Sequence, residues 1–75
     1  MTREQAREVV EYMGLKHPFT EAEVYEDYSG RCMYGEKTDG VVTDNLAETE
    51  DIMEQLGMDP EDFSVDSMGL SAIIY

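Results

Sequence analysis

The uneven distribution of charge constrains this chain more than any other feature of its sequence. Residues 1–20 carry equal numbers of basic and acidic side chains, whereas residues 21–75 carry only Arg31 and Lys37 against fifteen acids. The whole net charge of −13 therefore arises after residue 20. Such a charge costs folding stability through self-repulsion and keeps a protein soluble. It disfavours direct binding to nucleic acid or an anionic membrane and favours basic partners.

Chain length and cysteine content narrow the class of protein further. A chain of 75 residues predicts a single domain, residues 1–75, with a modest core and no deep substrate cleft. Cys32 is the sole cysteine, so no disulfide can form within the chain and a reducing compartment is expected. The N-terminal segment lacks the apolar core of a signal peptide, and no run approaches membrane-spanning length. These features predict a cytoplasmic protein.

Residues 2–14 and 45–57 each show the apolar periodicity of an amphipathic helix. The first segment begins with a threonine and a glutamine at the spacing of a capping box. The second begins next to Asp44 and Asn45, either of which can cap it. A glycine closes each segment, as is typical of a helix end. The sequence therefore predicts two helices.

Strands are predicted between and after the two helices. Residues 21–28 have a helix-capping signal, but they also alternate apolar and polar side chains and end in two tyrosines, which favours a strand. A glycine-punctuated connection then leads to residues 40–44, the expected partner strand, and residues 69–75 form a buried C-terminal strand. The order α-β-β-α-β predicts a small α+β domain, with two helices packed on one face of a short antiparallel or mixed sheet.

Catalytic and cofactor signals in the sequence are weak. Residues 30–35, followed by Lys37, nearly match a phosphate-binding loop, but a strand-like segment follows where that motif needs a helix. Nucleophilic catalysis would need Cys32 beside His17, and no third group is marked to orient such a pair. The calcium-loop pattern is absent. We therefore predict no enzyme activity, no cofactor and no dedicated metal site.

The acidic residues themselves are the strongest candidates for function. In an extended strand, Glu21, Glu23 and Asp27 are predicted to lie on one side, and the second helix carries a further row of acids. Two such rows could occupy a lysine- and arginine-lined channel that evolved to bind phosphates. A merely solvated acidic surface is the alternative. The predicted partner-binding acids are Glu21, Glu23, Glu26, Asp27, Glu48, Glu50, Asp51 and Glu54.

Two stretches of the chain carry a resemblance to known proteins. Residues 28–35 read YSGRCMYG, and residues 68–75 read MGLSAIIY. These stretches resemble a group of small uncharacterised phage and prophage proteins with the motif Tyr-Ser-Gly-Arg-Gly-Met-Tyr-Gly, from which this chain departs at Cys32. The resemblance implies a phage origin more than an activity. In size and charge the chain is similar to acidic anti-CRISPR inhibitors, several of which imitate DNA.

Two functional hypotheses follow. The first is a phage-type inhibitor, a monomer or homodimer in the host cytoplasm, that binds a basic nucleic-acid-binding protein such as a CRISPR effector. In that hypothesis Arg31 and Tyr34, in the loop after the first strand, add a shape-specific contact. The second is a small regulatory or assembly adaptor whose apolar C-terminal strand, residues 70–75, pairs with another chain. An uncovered edge on that strand would support the second hypothesis.

Overall fold

The structure is a computed structural model that describes residues 1–30 and 36–75. Within these residues it contains two helices and an antiparallel sheet, so the predicted small α+β domain is confirmed. The elements in chain order are α1 (Arg3–Lys16), β1 (Ala22–Tyr28), β2 (Thr38–Thr43), α2 (Leu46–Gln55), a short 3-10 helix (Pro60–Asp62), β3 (Val65–Met68) and β4 (Ser71–Ile74).

The sheet contains one strand that the sequence did not predict. The strand order is β1-β2-β4-β3, and every neighbouring pair is antiparallel. The unpredicted strand, β3, is a four-residue edge strand joined to β4 by a two-residue turn. Gly69 has φ +69° in that turn and Leu70 does not have a positive φ, which is the pattern of a type II′ hairpin. The predicted C-terminal strand therefore starts at Ser71, because its first two residues form the turn.

This topology does not supply the uncovered edge that would support the adaptor hypothesis. Strand β4 pairs with β2 along one side and with β3 along the other. Its backbone groups are used within the sheet, so residues 70–75 do not offer an uncovered edge. Among the described strands, the two edges of the sheet are β1 and β3.

Helix α1 begins as predicted but ends later. The Thr2 hydroxyl accepts a hydrogen bond from the Gln5 N–H (3.1 Å), and the Gln5 side chain accepts one from the Thr2 N–H (2.9 Å). The capping box is therefore confirmed. The helix continues past Gly14 to Lys16, and the end is set instead by Pro18, because a residue that precedes proline is disfavoured in helical conformation.

Helix α2 has the predicted signals at both ends. The Asn45 side chain caps its start by accepting a backbone N–H from the first turn. Gly57, with φ +82°, follows its end and donates its N–H to the Glu54 carbonyl (3.0 Å). The next residue, Met58, donates to the Met53 carbonyl (2.8 Å). These two bonds form a Schellman motif, which satisfies carbonyl groups that would otherwise lack intrahelical partners.

Both helices contribute to one core on the same face of the sheet. Each fully buried apolar side chain there stabilises the fold by about 1.5–3 kcal/mol relative to solvent exposure. The core side chains are at most 1% exposed. They are Ala6, Val9 and Met13 from α1, Ile52 and Met53 from α2, and Val41 and Ile74 from the sheet.

A β-bulge interrupts β1 near its end. Tyr25 pairs with Gly40, but Tyr28 pairs with Thr38, so β1 has one extra residue in this interval. Asp27 lies in the bulge with φ +55°, a left-handed conformation that aspartate tolerates better than most residues. The extra residue places Tyr28, rather than Asp27, on the face that carries Tyr25. The predicted alignment of Asp27 with the acids at the start of the strand is therefore wrong.

Candidate functional site

The fold gathers carboxylates at one end of the sheet, where β1 begins, β2 ends and α2 begins. We call this region the acidic end and define it by Glu21, Glu23, Asp44 and Glu48. Two hydrogen bonds join its backbone segments: the Glu21 N–H donates to Asp44 Oδ1 (3.1 Å), and the Asp44 N–H donates to the Glu21 carbonyl (3.1 Å). Glu21, Glu23 and Asp44 are exposed, and Glu48 is half-buried.

Glu48 connects α2 to the turn that precedes β1. Its Oε2 atom accepts a hydrogen bond from the Thr20 hydroxyl (2.5 Å) and lies 3.3 Å from Nδ1 of His17. The His17 contact becomes an ion pair only when the imidazole is protonated. These contacts hold the Glu48 carboxylate in one position beside the start of β1.

A shallow depression of about 230 Å³ lies on the acidic end. Three carboxylates line it together with an aliphatic side chain and two hydroxyl groups, and none of its lining residues is basic. Such a lining can receive a cationic side chain, since carboxylates bind the charge and the aliphatic group contacts the stem. The lining residues are Glu21, Glu23, Val42, Thr43, Asp44 and Ser71.

At the opposite end of the sheet, which we call the Arg3 end, two acids pair with Arg3. Arg3 Nε lies 3.6 Å from Glu26 Oε1 and 3.3 Å from Asp39 Oδ2. The backbone N–H of Asp27 donates to Asp39 Oδ1 (3.0 Å), and this bond, together with Arg3, lowers the pKa of Asp39. Asp27, which was predicted to extend the acidic row of β1, and Glu26, which was predicted to bind a partner, therefore lie at the Arg3 end.

The acids of α2 are divided between two sides of the helix. At about 100° per residue, Glu48 and Asp51 share one side, and Glu50 lies on the opposite flank. Asp51 accepts a hydrogen bond from Gln55 (3.0 Å), and both Asp51 and Glu54 are exposed. The acidic end thus continues from Glu48 to Asp51 on one side of α2, whereas Glu50 and Glu54, four residues apart, lie together on the side away from Glu48.

The face of the sheet opposite the helices carries a cluster of tyrosines. The hydroxyl groups of Tyr28 and Tyr75 both donate to Oδ2 of Asp66, at 2.6 and 3.1 Å. The Tyr28 ring lies edge-on to Tyr25 and to Tyr75, with centroids 5.4 and 4.9 Å apart. Ile73, which pairs with Asp66 on this face, is fully buried. Tyr25 and Tyr28 therefore contribute to packing on this face of the sheet.

Several predicted features fall outside the described residues. Arg31, Cys32 and Tyr34 lie outside the described residues, as does most of the glycine-rich loop. The possible pairing of Cys32 with His17 therefore falls outside them as well. Among residues 1–30 and 36–75, no three His, Cys, Asp or Glu side chains are grouped in a way that could hold a metal ion. No described helix is both long enough and apolar enough to span a membrane.

Asp44 was missed as a site residue, because the sequence suggested only a helix-capping role for it. The cap is Asn45, and Asp44 instead binds the backbone of Glu21. The strand register is the signal that could have identified Asp44. Ala22 pairs with Thr43, so the adjacent residues Glu21 and Asp44 become neighbours. A predicted register for the hairpin would have placed both acids together.

No family model matches the chain, and no curated protein or solved structure matches it. A functional proposal for this molecule therefore depends on its charge distribution and on the geometry of the acidic end.

Proposed function

We propose that this protein is a non-enzymatic, phage-type inhibitor that binds a basic nucleic-acid-binding protein, such as a CRISPR effector, and competes with its nucleic acid. The observation that carries the proposal is the depression in which Glu21, Glu23 and Asp44 meet without a basic neighbour in the lining. The phage context is supported by the resemblance of residues 28–35. The acidic excess after residue 20 supplies the charge that a phosphate-binding channel attracts.

Fixed positions make these carboxylates better imitators of phosphate than acids on a mobile tail. Glu21 and Glu23 are alternate residues at the start of β1, so their Cα atoms lie roughly 6.6–6.8 Å apart. Asp44 is joined to Glu21 by the paired backbone contacts, and Glu48 is held by Thr20. A partner therefore meets a preorganised set of charges, which reduces the ordering cost of binding.

The proposed surface is smaller than the set of acids that the sequence suggested. Glu26 and Asp27 lie at the Arg3 end, and Glu50 lies on the other flank of α2. The surface that we propose combines the depression with the exposed side of α2. Its members are Glu21, Glu23, Asp44, Glu48 and Asp51, and Glu54 is left out with Glu50 because the two lie on the same side of α2.

The proposal is tested by competition on purified guide-RNA-loaded CRISPR effectors with fluorescent target DNA. The test compares the wild-type protein with Glu21→Gln/Glu23→Gln and with Glu61→Gln/Asp62→Asn. Both double variants remove two negative charges, but Glu61 and Asp62 are exposed in the 3-10 helix beyond the far end of α2. We expect the first variant to associate about tenfold more slowly at low salt, since steering depends on local charge, and the second to change by less than twofold.

Two results would contradict the proposal. One is a complex in which an effector holds target DNA and this protein at the same time, with no loss of DNA affinity. The other is an equal loss of association rate in both double variants, because that result would mean that only total charge matters.

A further inference from the structure

The acidic end also carries the most exposed apolar side chains among the described residues. Leu70 is 100% exposed, Phe19 is 97% exposed and Leu15 is 78% exposed. Exposed apolar residues are common on proteins when they are scattered singly, and they are informative when they gather in one region. Their positions in the fold decide which case applies here.

The topology places these apolar residues around the depression. Phe19 precedes Glu21 by two residues, so their Cα atoms are at most about 7.6 Å apart. Leu70 is adjacent to Ser71, which lines the depression from β4. Strands β1 and β4 flank β2, so Glu21 just before β1 and Ser71 in β4 lie roughly 10 Å apart across the sheet. The depression thus lies between two exposed apolar side chains.

The turn that carries Phe19 is held on both sides. The Thr20 N–H donates to the His17 carbonyl (3.0 Å), which closes a four-residue turn with Pro18 in its second position. The Thr20 hydroxyl also binds Glu48 on α2. Proline fixes its own φ, and the hydrogen bonds fix the residues around it. The backbone at Phe19 is therefore preorganised by the turn, so little backbone freedom remains to be lost on binding.

Charge restricts what can cover this surface. A second copy of the chain would bring another net charge of −13, and an anionic membrane would be repelled in the same way. Lys16, the basic residue between Leu15 and His17, has its ammonium group 5.5 Å from the centroid of the Tyr12 ring. The carboxylates beside Phe19 are complementary to a positively charged partner.

We infer that the acidic end is a composite docking surface, in which Phe19, Leu70 and Leu15 contact apolar side chains of a partner while the depression receives an arginine or lysine. The occupant is a basic protein segment in which cationic and apolar side chains alternate on one face. This inference rests on the proposed function and specifies the chemistry of its partner. An aromatic anchor surrounded by polar groups is the usual arrangement of an interface hot spot.

The test uses two synthetic helical peptides with identical arginine and lysine content. One has leucine between the basic residues, and the other has alanine at those positions. Affinities for the full-length protein are measured by fluorescence anisotropy at low and high salt. We expect the leucine peptide to bind about tenfold more tightly than the alanine peptide, and the difference to persist at high salt because apolar contacts are not screened.

The variants assign that difference to named residues. Phe19→Ala should bind the leucine and alanine peptides with equal affinity. Leu70→Ala should reduce the preference for the leucine peptide by a smaller factor, about threefold. Both side chains are exposed, so these variants should fold as the wild type does. Val65→Thr is the matched control, since Val65 is an exposed apolar residue at the Arg3 end of β3, and it should retain the full difference.

The outcomes separate the inference from the proposed function. If Phe19→Ala and Leu70→Ala retain the preference for leucine while Glu21→Gln/Glu23→Gln weakens both peptides, the docking inference is wrong and acidic recognition stands. If neither peptide binds at low salt, both are wrong. If light scattering detects a dimer of the wild type that Phe19→Ala abolishes, a second copy covers the surface and the inference is overturned.

Discussion

The two ends of the sheet use their polar groups in different ways. At the Arg3 end, the groups bind one another: Arg3 contacts Asp39, and the Met1 amine donates to the Thr38 hydroxyl (3.0 Å) and the Tyr75 carbonyl (3.2 Å). At the acidic end, most carboxylates and several apolar side chains face solvent. Arg3 and the Met1 amine, the cations in these contacts, lie at the Arg3 end. The comparison shows that charged groups at the Arg3 end are paired with one another, whereas most carboxylates of the acidic end are exposed.

Among the variants that test this comparison, the largest loss of stability is expected from Gly40→Ala, in the half of β2 nearer the Arg3 end. An added Cβ atom would lie 2.6 Å from the Ile74 carbonyl oxygen and 3.1 Å from Tyr75 Cβ. Because the close neighbour is backbone, it cannot move aside cheaply. We expect the free energy of unfolding to fall by about 1–3 kcal/mol, as for overpacked cores, and urea denaturation measures it.

Gly14→Ala is the matched control for that substitution. Gly14 lies inside α1, and nothing is within 4 Å of its added Cβ atom. Alanine is favoured over glycine in a helix interior by about 1 kcal/mol, so this variant should be more stable than the wild type. Equal stability of the two variants would show that the region around Gly40 is not tightly packed.

A smaller loss is expected from Thr49→Val, which removes a buried hydroxyl beneath the acidic end. Thr49 Oγ1 lies within hydrogen-bonding distance of the Thr43 hydroxyl (2.8 Å) and of the Asn45 carbonyl oxygen (2.9 Å), and both threonines are buried. Leaving buried polar groups with fewer partners should lower the free energy of unfolding by about 1–2 kcal/mol. Thermal unfolding measures the loss. Thr20→Val is the control, and an equal loss in that half-buried position would contradict the role of burial.

Local signals explain why most of the fold could be predicted. The capping box at Thr2, the cap at Asn45 and the Schellman glycine at Gly57 depend on residues close in sequence. The extra strand and the bulge do not. Strand β3 has four residues, lacks a clear apolar alternation and forms because β4 offers an edge. The bulge at Asp27 depends on how β1 pairs with β2, which no short stretch specifies.

The candidate site was predicted only in part, for the same reason. Glu21 and Glu23 were identified because a strand's alternation is visible in its sequence. Asp44 required the strand register, and the grouping of Phe19 with Leu70 required the sheet order. Both are long-range properties of the chain. The site therefore combines Glu21 and Glu23, which the local sequence pattern identifies, with residues that only the long-range pairing of the strands brings beside them.

A weaker effect is expected from Arg3→Gln, which removes the cation of the Arg3 end. Arg3 is 43% exposed, and solvent-screened pairs of this kind contribute little to stability. The pKa of Asp39 is lowered first by the Asp27 backbone bond and then by Arg3. A lowered carboxyl pKa stabilises the fold above the unfolded pKa, near 3.8, and this contribution is lost as pH falls through the folded pKa.

The measurement for Arg3→Gln is urea denaturation across the acid range. The difference in stability between wild type and variant should be present at neutral pH and should shrink below about pH 4, as Asp39 becomes protonated. Arg7→Gln removes the same charge from another exposed position on α1 and provides the control. A difference that stays constant with pH would show that Arg3 does not act through a carboxylate.

The smallest effect gives the sharpest comparison, because it reverses sign between the two ends. Glu23→Gln and Glu26→Gln are the same substitution in the same strand, but Glu26 pairs with Arg3 and Glu23 lines the depression. Removing an uncompensated charge relieves self-repulsion, whereas removing a paired charge loses an attraction. We expect Glu23→Gln to raise the melting temperature at low salt and Glu26→Gln to lower it, each by about 1–2 °C. Both shifts should diminish at about 0.15 M salt, where the screening length is about 8 Å. Shifts of the same sign would mean that the ends are electrostatically alike. Opposite signs would show that the fold tolerates a destabilising charge at the surface that is proposed to bind a partner.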